Sequence, residues 1–280
     1  SFEAPDYGKS SSPAPLDMAI TYDNIFLLRK ELDQLSAVDE RYLNHGFSIK
    51  EFSIKDGLSG SDLNLNLGLD IVRDSFNCLA VNQTGTLLAV AGVRRPASEW
   101  GHSERSTCVP FVVFVERRDG ELNQVARFVW PGLKSINSLA FNMAGDALAI
   151  ADDEDCSICI VSFPCIGAPE AVQCAILDPG EFKLHTFRNP AWHDDTDYNE
   201  ATDTGDFDDS AEHPLSLTID ADDNVIVSDE HRVSVFTWSG ELIAQVLEDG
   251  ELNCTVTKVT CDAKSGRLAA MAFGRVTVIC

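Results

Sequence analysis

The sequence has 280 residues, 44% of them hydrophobic, and its 45 acidic residues outnumber its 21 basic residues to give a formal net charge of −24. A chain of this length can bury a sizeable core, and no apolar run approaches the ~20 residues that cross a bilayer. We therefore expect a soluble protein without a membrane partner, and the strong negative charge disfavours nucleic acid as a ligand.

The nine cysteines are an odd number, and they are scattered through apolar runs. This distribution is typical of reduced, buried thiols, and it predicts a reducing, cytoplasmic location. Cys156 and Cys159 form a C-x-x-C pair, but they lie in DCSICIVSF, whose alternation predicts a strand. No second Cys or His pair stands at zinc-ribbon spacing, so we expect neither a zinc site nor a cofactor.

Residues 1–14 are polar and rich in Ser and Pro, and they are predicted to form a flexible lead-in or a closing strand. The remainder, 15–280, contains a recurring unit of a short apolar strand, a tight turn with Gly, Asn or Asp, and a second strand. Five copies are legible, and each is marked here by one residue: Asp17 (DMAITYDNIFLL), Leu79 (LAVNQTGTLLAVA), Leu139 (LAFNMAGDALAIAD), Leu217 (LTIDADDNVIVSD) and Val259 (VTCDAKSGRLAAM).

Further strands are predicted after these units. A third strand follows in most copies, as FVVFVERRDG, SICIVSF, RVSVFTWSG and RVTVIC, and a fourth follows in three, as LNQVARFVW, EAVQCAIL and LIAQVLE. The C-terminal copy stops after its third strand, so an N-terminal segment is predicted to supply the missing one. Three insertions interrupt the pattern: KELDQLSAVDERYLNHG, in which we allow a short helix, then RRPASEWGHSERST, and an acidic stretch at about 178–213.

Four antiparallel strands per repeat, with almost no helical periodicity, predict an all-β fold of radially arranged sheets that bury both faces against their neighbours. This architecture is a β-propeller of four-stranded antiparallel blades. Ala80, Ala89, Ala149 and Ala151 suit the crowded inner part of such a ring. A β-sandwich is the alternative, but it does not explain why the strand-turn-strand unit recurs.

The segment HPLSLTIDADDNVIVSDEHRVSVFTWSGELI resembles an NHL repeat, the propeller unit of the TRIM-NHL and Brain tumor proteins. The tail LNCTVTKVTCDAKSGRLAAMAFGRVTVIC is similar to the truncated last blade of that group. A divergent WD-repeat propeller shows a similar pattern. The NHL resemblance implies six blades and a binding platform, which in many members binds single-stranded RNA through a basic upper face.

In a propeller, the loops between strands two and three and the loops between blades share one rim. Here these loops are acidic, with Asp152 and Asp153 in ADDEDC and Asp229 and Glu230 in SDEHR. RNA binding draws its affinity from Lys and Arg that neutralise phosphates, and a carboxylate rim repels those phosphates. We therefore predict a non-catalytic interaction module that binds a protein partner, such as a basic segment, with single-stranded RNA binding as the alternative.

One loop on this rim is basic and aromatic. It reads RRPASEWGHSER, and it contains Arg94, Arg95, Trp100 and Arg105. Buried Trp and Arg side chains carry much of the energy of protein interfaces, so these four residues are predicted to anchor the partner. The competing interpretation is a solvated loop whose Trp packs on the blade beneath it.

The acidic insertion contains a partial match to a calcium-binding loop. Five oxygen-bearing residues fall at positions 1, 3, 5, 9 and 12 of an EF-hand loop: Asp195, Asp197, Asn199, Asp203 and Asp206. Glu200 stands where that loop needs Gly, and the last position lacks the bidentate Glu. We therefore favour an acidic loop without a metal, and we keep calcium as the alternative.

A calcium-dependent hydrolase is a further alternative, because propeller hydrolases of the gluconolactonase type hold calcium in the central channel through Glu, Asn and Asp. Asn82, Asn142, Asp220 and Asp262 recur at the first turn, but such side chains also cap turns. No G-x-S-x-G, H-E-x-x-H or P-loop pattern occurs. From these observations we predict that the protein is not an enzyme.

Overall fold

Strands of the recurring units pair in sequence order and build five separate sheets. The structure is a computed structural model that describes residues 15–21, 23–32, 45–57, 59–63, 65–66, 74–94, 108–118, 120–129, 132–163, 183–189, 192, 213–229, 232–247, 256–262, 266–272 and 275–279. All regular secondary structure within these ranges is β-strand, which confirms the predicted all-β class.

The first two sheets use the N-terminal half of the chain. Sheet one has the order β1 (Pro15–Ile20), β2 (Asn24–Leu32), β3 (His45–Ser53) and β4 (Ser59–Leu63). Sheet two has the antiparallel order β6 (Asp74–Val81), β7 (Leu87–Arg94), β8 (Val109–Arg118) and β9 (Glu121–Phe128), and the short β5 (Leu65–Asn66) adds in parallel to β9.

The remaining three sheets repeat this order. Sheet three contains β10 (Ser138–Phe141), β11 (Ala147–Asp152), β12 (Ser157–Ser162) and β13 (Lys183–Phe187). Sheet four contains β14 (Ser216–Ile219), β15 (Val225–Ser228), β16 (Val233–Phe236) and β17 (Leu242–Leu247). Sheet five contains β18 (Val256–Asp262), β19 (Arg267–Ala272) and β20 (Arg275–Ile279).

Each sheet is one blade, and the five blades form a ring with β1, β6, β10, β14 and β18 innermost. The fold is therefore a five-bladed β-propeller. The recurrence of the five units is confirmed, whereas the six blades implied by the NHL resemblance are wrong for the described chain, which contains five sheets.

The turn between the first two strands explains why the unit recurs. Asn82 Oδ1 accepts hydrogen bonds from the backbone N–H groups of Thr86 and Leu87, both at 3.0 Å. Asn142 repeats this arrangement, and Gly145 in its turn has a φ of 73°, which costs glycine little. The capping role predicted for the recurring Asn and Asp residues is thus confirmed at these turns.

Hydrophobic side chains fill four of the junctions between neighbouring blades. Between blades two and three, for example, the Phe114 ring packs against the Phe163 ring with centroids 4.9 Å apart, and Leu139 is buried in the same cluster. Leu217 is buried in the equivalent cluster between blades three and four. Blades two and three are each covered by a neighbouring blade on both faces. Their strands β7 and β11 therefore contain continuous runs of buried residues instead of an alternating pattern.

The junction between blades five and one differs from the other four. Among the described residues, no buried hydrophobic cluster is shared across it, and Met18 and Ile20 of β1 are exposed. Lys258 and Asp17 connect the two inner strands here by an ion pair of 2.8 Å. Among the described residues, an ion pair thus connects the inner strands of blades five and one.

The fourth strand of blade three departs from the prediction. It is formed by KLHTF at β13, whereas EAVQCAIL had been predicted for this place and lies outside the described residues. The Phe187 ring packs on Phe236 of the next blade with centroids 5.3 Å apart, and its Cβ would lie 2.5 Å from a Cβ added to Gly240. A close fit to the neighbouring blade thus fixes this strand.

Two other predicted features lie outside the described residues. These are residues 1–14 and the core of the acidic insertion, 193–212. Of the insertion KELDQLSAVDERYLNHG, residues 33–44 are also outside, and its ends extend β2 and β3. Blade five contains three described strands, in agreement with the early stop predicted for the C-terminal copy.

Candidate functional site

The ring has two faces with different loops. One face contains the turns between strands one and two of each blade, and we call it the lower face. The opposite face, which we call the upper face, contains the turns between strands two and three and the connections between blades. Its described parts include 132–137, 153–156, 188–189, Trp192 and Asp229. The sequence predicted the binding site on this upper face.

Asp152 ends β11 and organises the upper face of blade three. Its side chain is buried, and Oδ2 accepts a hydrogen bond from the backbone N–H of Lys134 at 2.8 Å. Oδ1 accepts from the N–H groups of Ser135 at 3.1 Å and Asp155 at 3.2 Å. Burial raises the pKa of Asp152, and the three backbone bonds oppose that rise. One carboxylate therefore joins the turn of its own blade to the connection from blade two.

Asp229 occupies the corresponding place after β15 in blade four. Its side chain is also buried, and its Oδ2 accepts a hydrogen bond from the Trp192 ring Nε1 at 3.0 Å. Its Oδ1 accepts from the backbone N–H of Arg232 at 2.7 Å. The Trp192 ring packs against Phe236 with centroids 6.1 Å apart. As in blade three, a buried carboxylate fastens a turn to the connection that enters its blade.

Between these anchors, the turn from Asp153 to Cys156 projects acidic groups. Glu154 is exposed at its tip, and Asp155 forms ion pairs with Lys134 at 3.2 Å and with Arg188 at 2.9 Å. Burial raises the pKa of Asp155, but the bonds from Arg188 and Lys134 outweigh burial and lower that pKa below its ordinary value. Cys156 closes the turn with a φ of 47°.

Beneath the upper face, side chains at the start of the inner strands connect neighbouring blades. Ser138 Oγ accepts a hydrogen bond from the Leu217 N–H at 3.1 Å, and Ser216 Oγ accepts from the Val259 N–H at 3.3 Å. Asp17 accepts from the next blade in the same way, through the Leu79 N–H at 2.8 Å. These polar side chains thus connect the inner strands of neighbouring blades.

The cysteines near these residues are structural. Cys78 of β6 is fully buried, and burial, followed by the charge of Asp17, raises its pKa well above the ordinary value. Burial also raises the pKa of Cys159, and Cys156 and Cys159 are both buried and form no disulfide. Because the thiolate is the reactive form, the raised pKa values disfavour reaction at Cys78 and Cys159. Cys156 lies in the turn before β12, so the prediction that it lies on the strand is wrong.

The structure describes four of the predicted binding residues: Arg94, Asp152, Asp153 and Asp229. Asp152 and Asp229 lie on the upper face, but their carboxylates are buried and hydrogen-bonded, and their role in partner binding stays a prediction. Acidic residues next to a strand end suggest solvent exposure, whereas here backbone N–H groups from distant connections surround them. Asp153 is half-buried, and Arg94 ends β7 on the same face.

The other predicted site residues lie outside the described part of the chain. These are Arg95, Trp100, Arg105 and Glu230 of the binding site, and Asp195, Asp197, Asn199, Asp203 and Asp206 of the calcium alternative. Their roles stay predictions. Within the described ranges, no three His, Cys, Asp or Glu side chains are grouped closely enough to hold a metal ion.

Three residues of the upper face were not found by sequence reasoning: Lys134, Arg188 and Trp192. Lys134 and Arg188 are isolated basic residues in connections between blades, and both form ion pairs with Asp155. Trp192 stands in the polar insertion, and its burial under Asp229 depends on the fold of the next blade. A lone Trp in an otherwise polar insertion was the only signal available.

Comparisons with known proteins support the fold and go no further. No family profile and no curated protein sequence matches the chain. Among solved structures, the Myceliophteria thermophila Cps50 (Swd1) β-propeller domain is 11% identical with a TM-score of 0.53, over 95% of this chain and 83% of that one. A structure of a nidogen/laminin complex is 12% identical with a TM-score of 0.55, over 96% of this chain and 76% of that one.

The comparisons also correct one prediction. A gluconolactonase-like protein is similar over 90% of this chain and 69% of its own, with 14% identity and a TM-score of 0.51. The prediction that the chain is not an enzyme is therefore wrong as an inference from its architecture, because enzymes are built on this fold as well.

No helix in the described ranges is both long enough and apolar enough to cross a bilayer.

Proposed function

We propose that the chain is an interaction scaffold that binds a protein partner through its upper face. The observation that carries the proposal is the pair of buried carboxylates, Asp152 and Asp229, which fasten two upper-face turns of neighbouring blades. Turns held in this way lose little conformational entropy on binding, so their exposed groups are preorganised for a partner.

The charge of the upper face favours a basic partner. Glu154 stands exposed at the tip of a fixed turn, and Asp153 precedes it. The formal net charge of −24 adds a long-range attraction for basic segments, which speeds encounter. Trp100, with Arg94 and Arg95, is the proposed anchor on the neighbouring loop, because rim charges steer association and aromatic side chains supply most of the affinity.

We propose that the repeats are of the NHL type, on the resemblance of residues 213–280 and the three-stranded last blade. RNA is the less favoured ligand, because Lys134 and Arg188, which are exposed basic residues of the described upper face, are both paired with Asp155. Basic groups already neutralised by a carboxylate contribute little to phosphate binding.

The proposal is tested by charge reversal on the two faces. The test variant is Asp153→Lys/Glu154→Lys on the upper face, and the matched control is Asp222→Lys/Glu121→Lys, which reverses two exposed charges on the lower face. Binding of a panel of fluorescent Lys- and Arg-rich peptides that contain one apolar residue is measured by anisotropy at about 50–150 mM salt. A single-stranded RNA of mixed sequence is measured in parallel.

We expect peptide binding that is weakened at least about fivefold by the upper-face variant and changed less than about twofold by the control. Trp100→Ala should weaken the same peptides without altering their salt dependence, because it removes apolar contact and no charge. Submicromolar RNA binding by the wild-type chain, or equal effects of both double variants, contradicts the proposal.

A further inference from the structure

Exposed apolar side chains are concentrated at the junction between blades five and one. Of the eleven large hydrophobic side chains that are exposed in the described ranges, six belong to the two blade faces that meet there. Single exposed apolar residues are ordinary on a protein surface, whereas a contiguous apolar patch marks an interaction site. We call these six residues the junction surface: Leu16, Met18 and Ile20 of β1, Met271 of β19, and Val276 and Val278 of β20.

Strand register places the blade-five part of the junction surface on the side that faces blade one. Met271 pairs with Val276 across β19 and β20, and Val278 lies two residues further along the same face. The opposite face of this sheet buries Val259 and Leu268 against blade four. Val276 and Val278 are nevertheless 65% and 57% exposed, so blade one does not cover them.

The blade-one part of the junction surface continues outward into polar groups. Ala19 and Ile49 belong to the side of blade one that packs against blade two, so their chain neighbours face blade five. Met18 pairs with Leu27 across β1 and β2, and Leu27 pairs with Lys50 across β2 and β3. A row of side chains on this face therefore runs from an apolar inner end to a cationic outer end.

The outer part of this face has a local excess of positive charge. The Arg29 guanidinium and the Asp62 carboxylate are 3.9 Å apart, which is a long distance for an ion pair. The Lys50 ammonium lies 5.4 Å from the centroid of the Phe52 ring. Among the described side chains of this face, two cations are thus set against one carboxylate, although the whole chain has a net charge of −24.

Ser48 adds a hydrogen-bonding group that the described chain does not use. Its Oγ is buried and has no hydrogen-bond partner within the described residues. Ser48 pairs with Arg29 across β2 and β3, which separates their Cβ atoms by about 5 Å. Lys50 follows on the same face at roughly 7 Å. A single carboxylate from another molecule can therefore reach the hydroxyl and both cations.

We propose that the junction surface binds an apolar, acidic segment of a protein partner. The apolar side chains of the segment cover Met18, Ile20 and Val276. Its carboxylate pairs with Arg29 and Lys50 and accepts a hydrogen bond from Ser48 Oγ.

Charge complementarity selects this occupant, because a basic segment would meet the two cations of blade one. A second copy of the chain would bring a net charge of −24, and its repulsion far exceeds that of a short segment with one or two carboxylates. The junction surface lies on the side of the ring. The inference therefore does not depend on the proposed function, which assigns a basic partner to the upper face.

The test measures binding of short fluorescent peptides to the full chain by anisotropy. In the first peptide Leu and Phe alternate with Glu, and in two matched peptides Gln or Lys replaces every Glu. Val276→Asp changes the apolar part of the junction surface, and Leu242→Asp is its control at an exposed position of β17. Lys50→Glu reverses a charge of the cationic part, and Lys55→Glu is its control at an exposed lysine of the same blade.

We expect Val276→Asp and Lys50→Glu each to weaken binding of the Glu peptide at least about fivefold, and both controls to change it less than about twofold. The Gln peptide should bind more weakly than the Glu peptide. It should also be insensitive to Lys50→Glu, because the carboxylate is the group that couples the peptide to Lys50.

Four results would overturn the proposal. The first is the absence of Glu-peptide binding by the wild-type chain, and the second is equal weakening by Lys50→Glu and Lys55→Glu. The third is binding of the Lys peptide that is lost in Val276→Asp, since a basic segment then occupies the junction surface. The fourth is a dimer, seen by light scattering, that Val276→Asp dissociates, since a second copy is then the occupant.

Discussion

Lys258 of β18 donates a hydrogen bond from Nζ to Asp17 Oδ1 of β1 at 2.8 Å, across 241 positions of the chain. The same Asp17 carboxylate accepts the backbone N–H of Leu79 in β6 through Oδ2, also at 2.8 Å. One side chain thus connects the inner strands of blades five, one and two. In the described chain, the junction between blades five and one has this ion pair and no shared hydrophobic cluster.

The substitution Lys258→Met should therefore loosen the ring. It leaves the Asp17 carboxylate, which is only 9% exposed, without its cationic partner, and such a loss costs about 1–3 kcal/mol of unfolding free energy. Chemical denaturation measures the change. The control is Lys55→Met, which breaks an ion pair whose side chains are 71% and 50% exposed and should cost less than about 0.5 kcal/mol. Equal costs for both variants would show that ring closure does not depend on Lys258.

The buried leucines between neighbouring blades are expected to be essential for folding. Leu217→Asp should unfold the protein, because it places an unpaired carboxylate in the cluster between blades three and four. Leu139→Asp should do the same between blades two and three. Leu242→Asp, at an exposed position of β17, should leave melting nearly unchanged. Circular dichroism and thermal melting check these outcomes, and a folded Leu217→Asp variant would count against the propeller.

The sequence was sufficient for the parts of this fold that are encoded locally. Asn82 and Asn142 cap turns whose partners lie within five residues, so each strand-turn-strand unit is visible in a single stretch of chain. The fourth strand of blade three could not be found in this way. Its position depends on Phe187 packing against Gly240 in the next blade, and no local pattern reports that contact.

The pH dependence of stability should report on Asp155. Burial raises its pKa, but hydrogen bonds from Arg188 and Lys134 lower it overall below the ordinary value of 3.8. A carboxylate whose pKa is depressed by folding stabilises the protein above its unfolded pKa, and this contribution is lost as the pH falls through the folded pKa. The melting temperature of Asp155→Asn should thus lie below wild type at about pH 7, and the difference should shrink only as the pH falls below 3.8 and through the lower folded pKa. A difference that is independent of pH would contradict this assignment.

The acidic insertion should be dispensable for the fold. Deletion of 194–212 shortens a connection between blades at a small entropic cost, so melting should stay close to wild type. We expect millimolar calcium to leave the melting temperature unchanged. If calcium raises it, and Asp195→Ala/Asp197→Ala abolishes the increase, the EF-hand alternative is correct.

The candidate site was less predictable than the fold. The sequence indicated that the upper face is acidic, but it could not separate carboxylates that hold the turns from those that face solvent. Asp152 and Glu154 are two positions apart in the chain, yet Asp152 is buried and accepts hydrogen bonds from the N–H groups of Lys134 and Ser135, whereas Glu154 is exposed. That difference arises because a connection from the preceding blade crosses directly above β11.

Binding through the upper face is tested most directly by amide hydrogen exchange of the wild-type chain, with and without a saturating peptide from the basic panel. The account predicts that the peptide slows exchange at 153–156 and in the loop 95–107, and that exchange stays unchanged in the lower-face turns 82–86, 142–146 and 220–224. Protection confined to those lower-face turns would contradict the account and place the binding site on the opposite end of the ring.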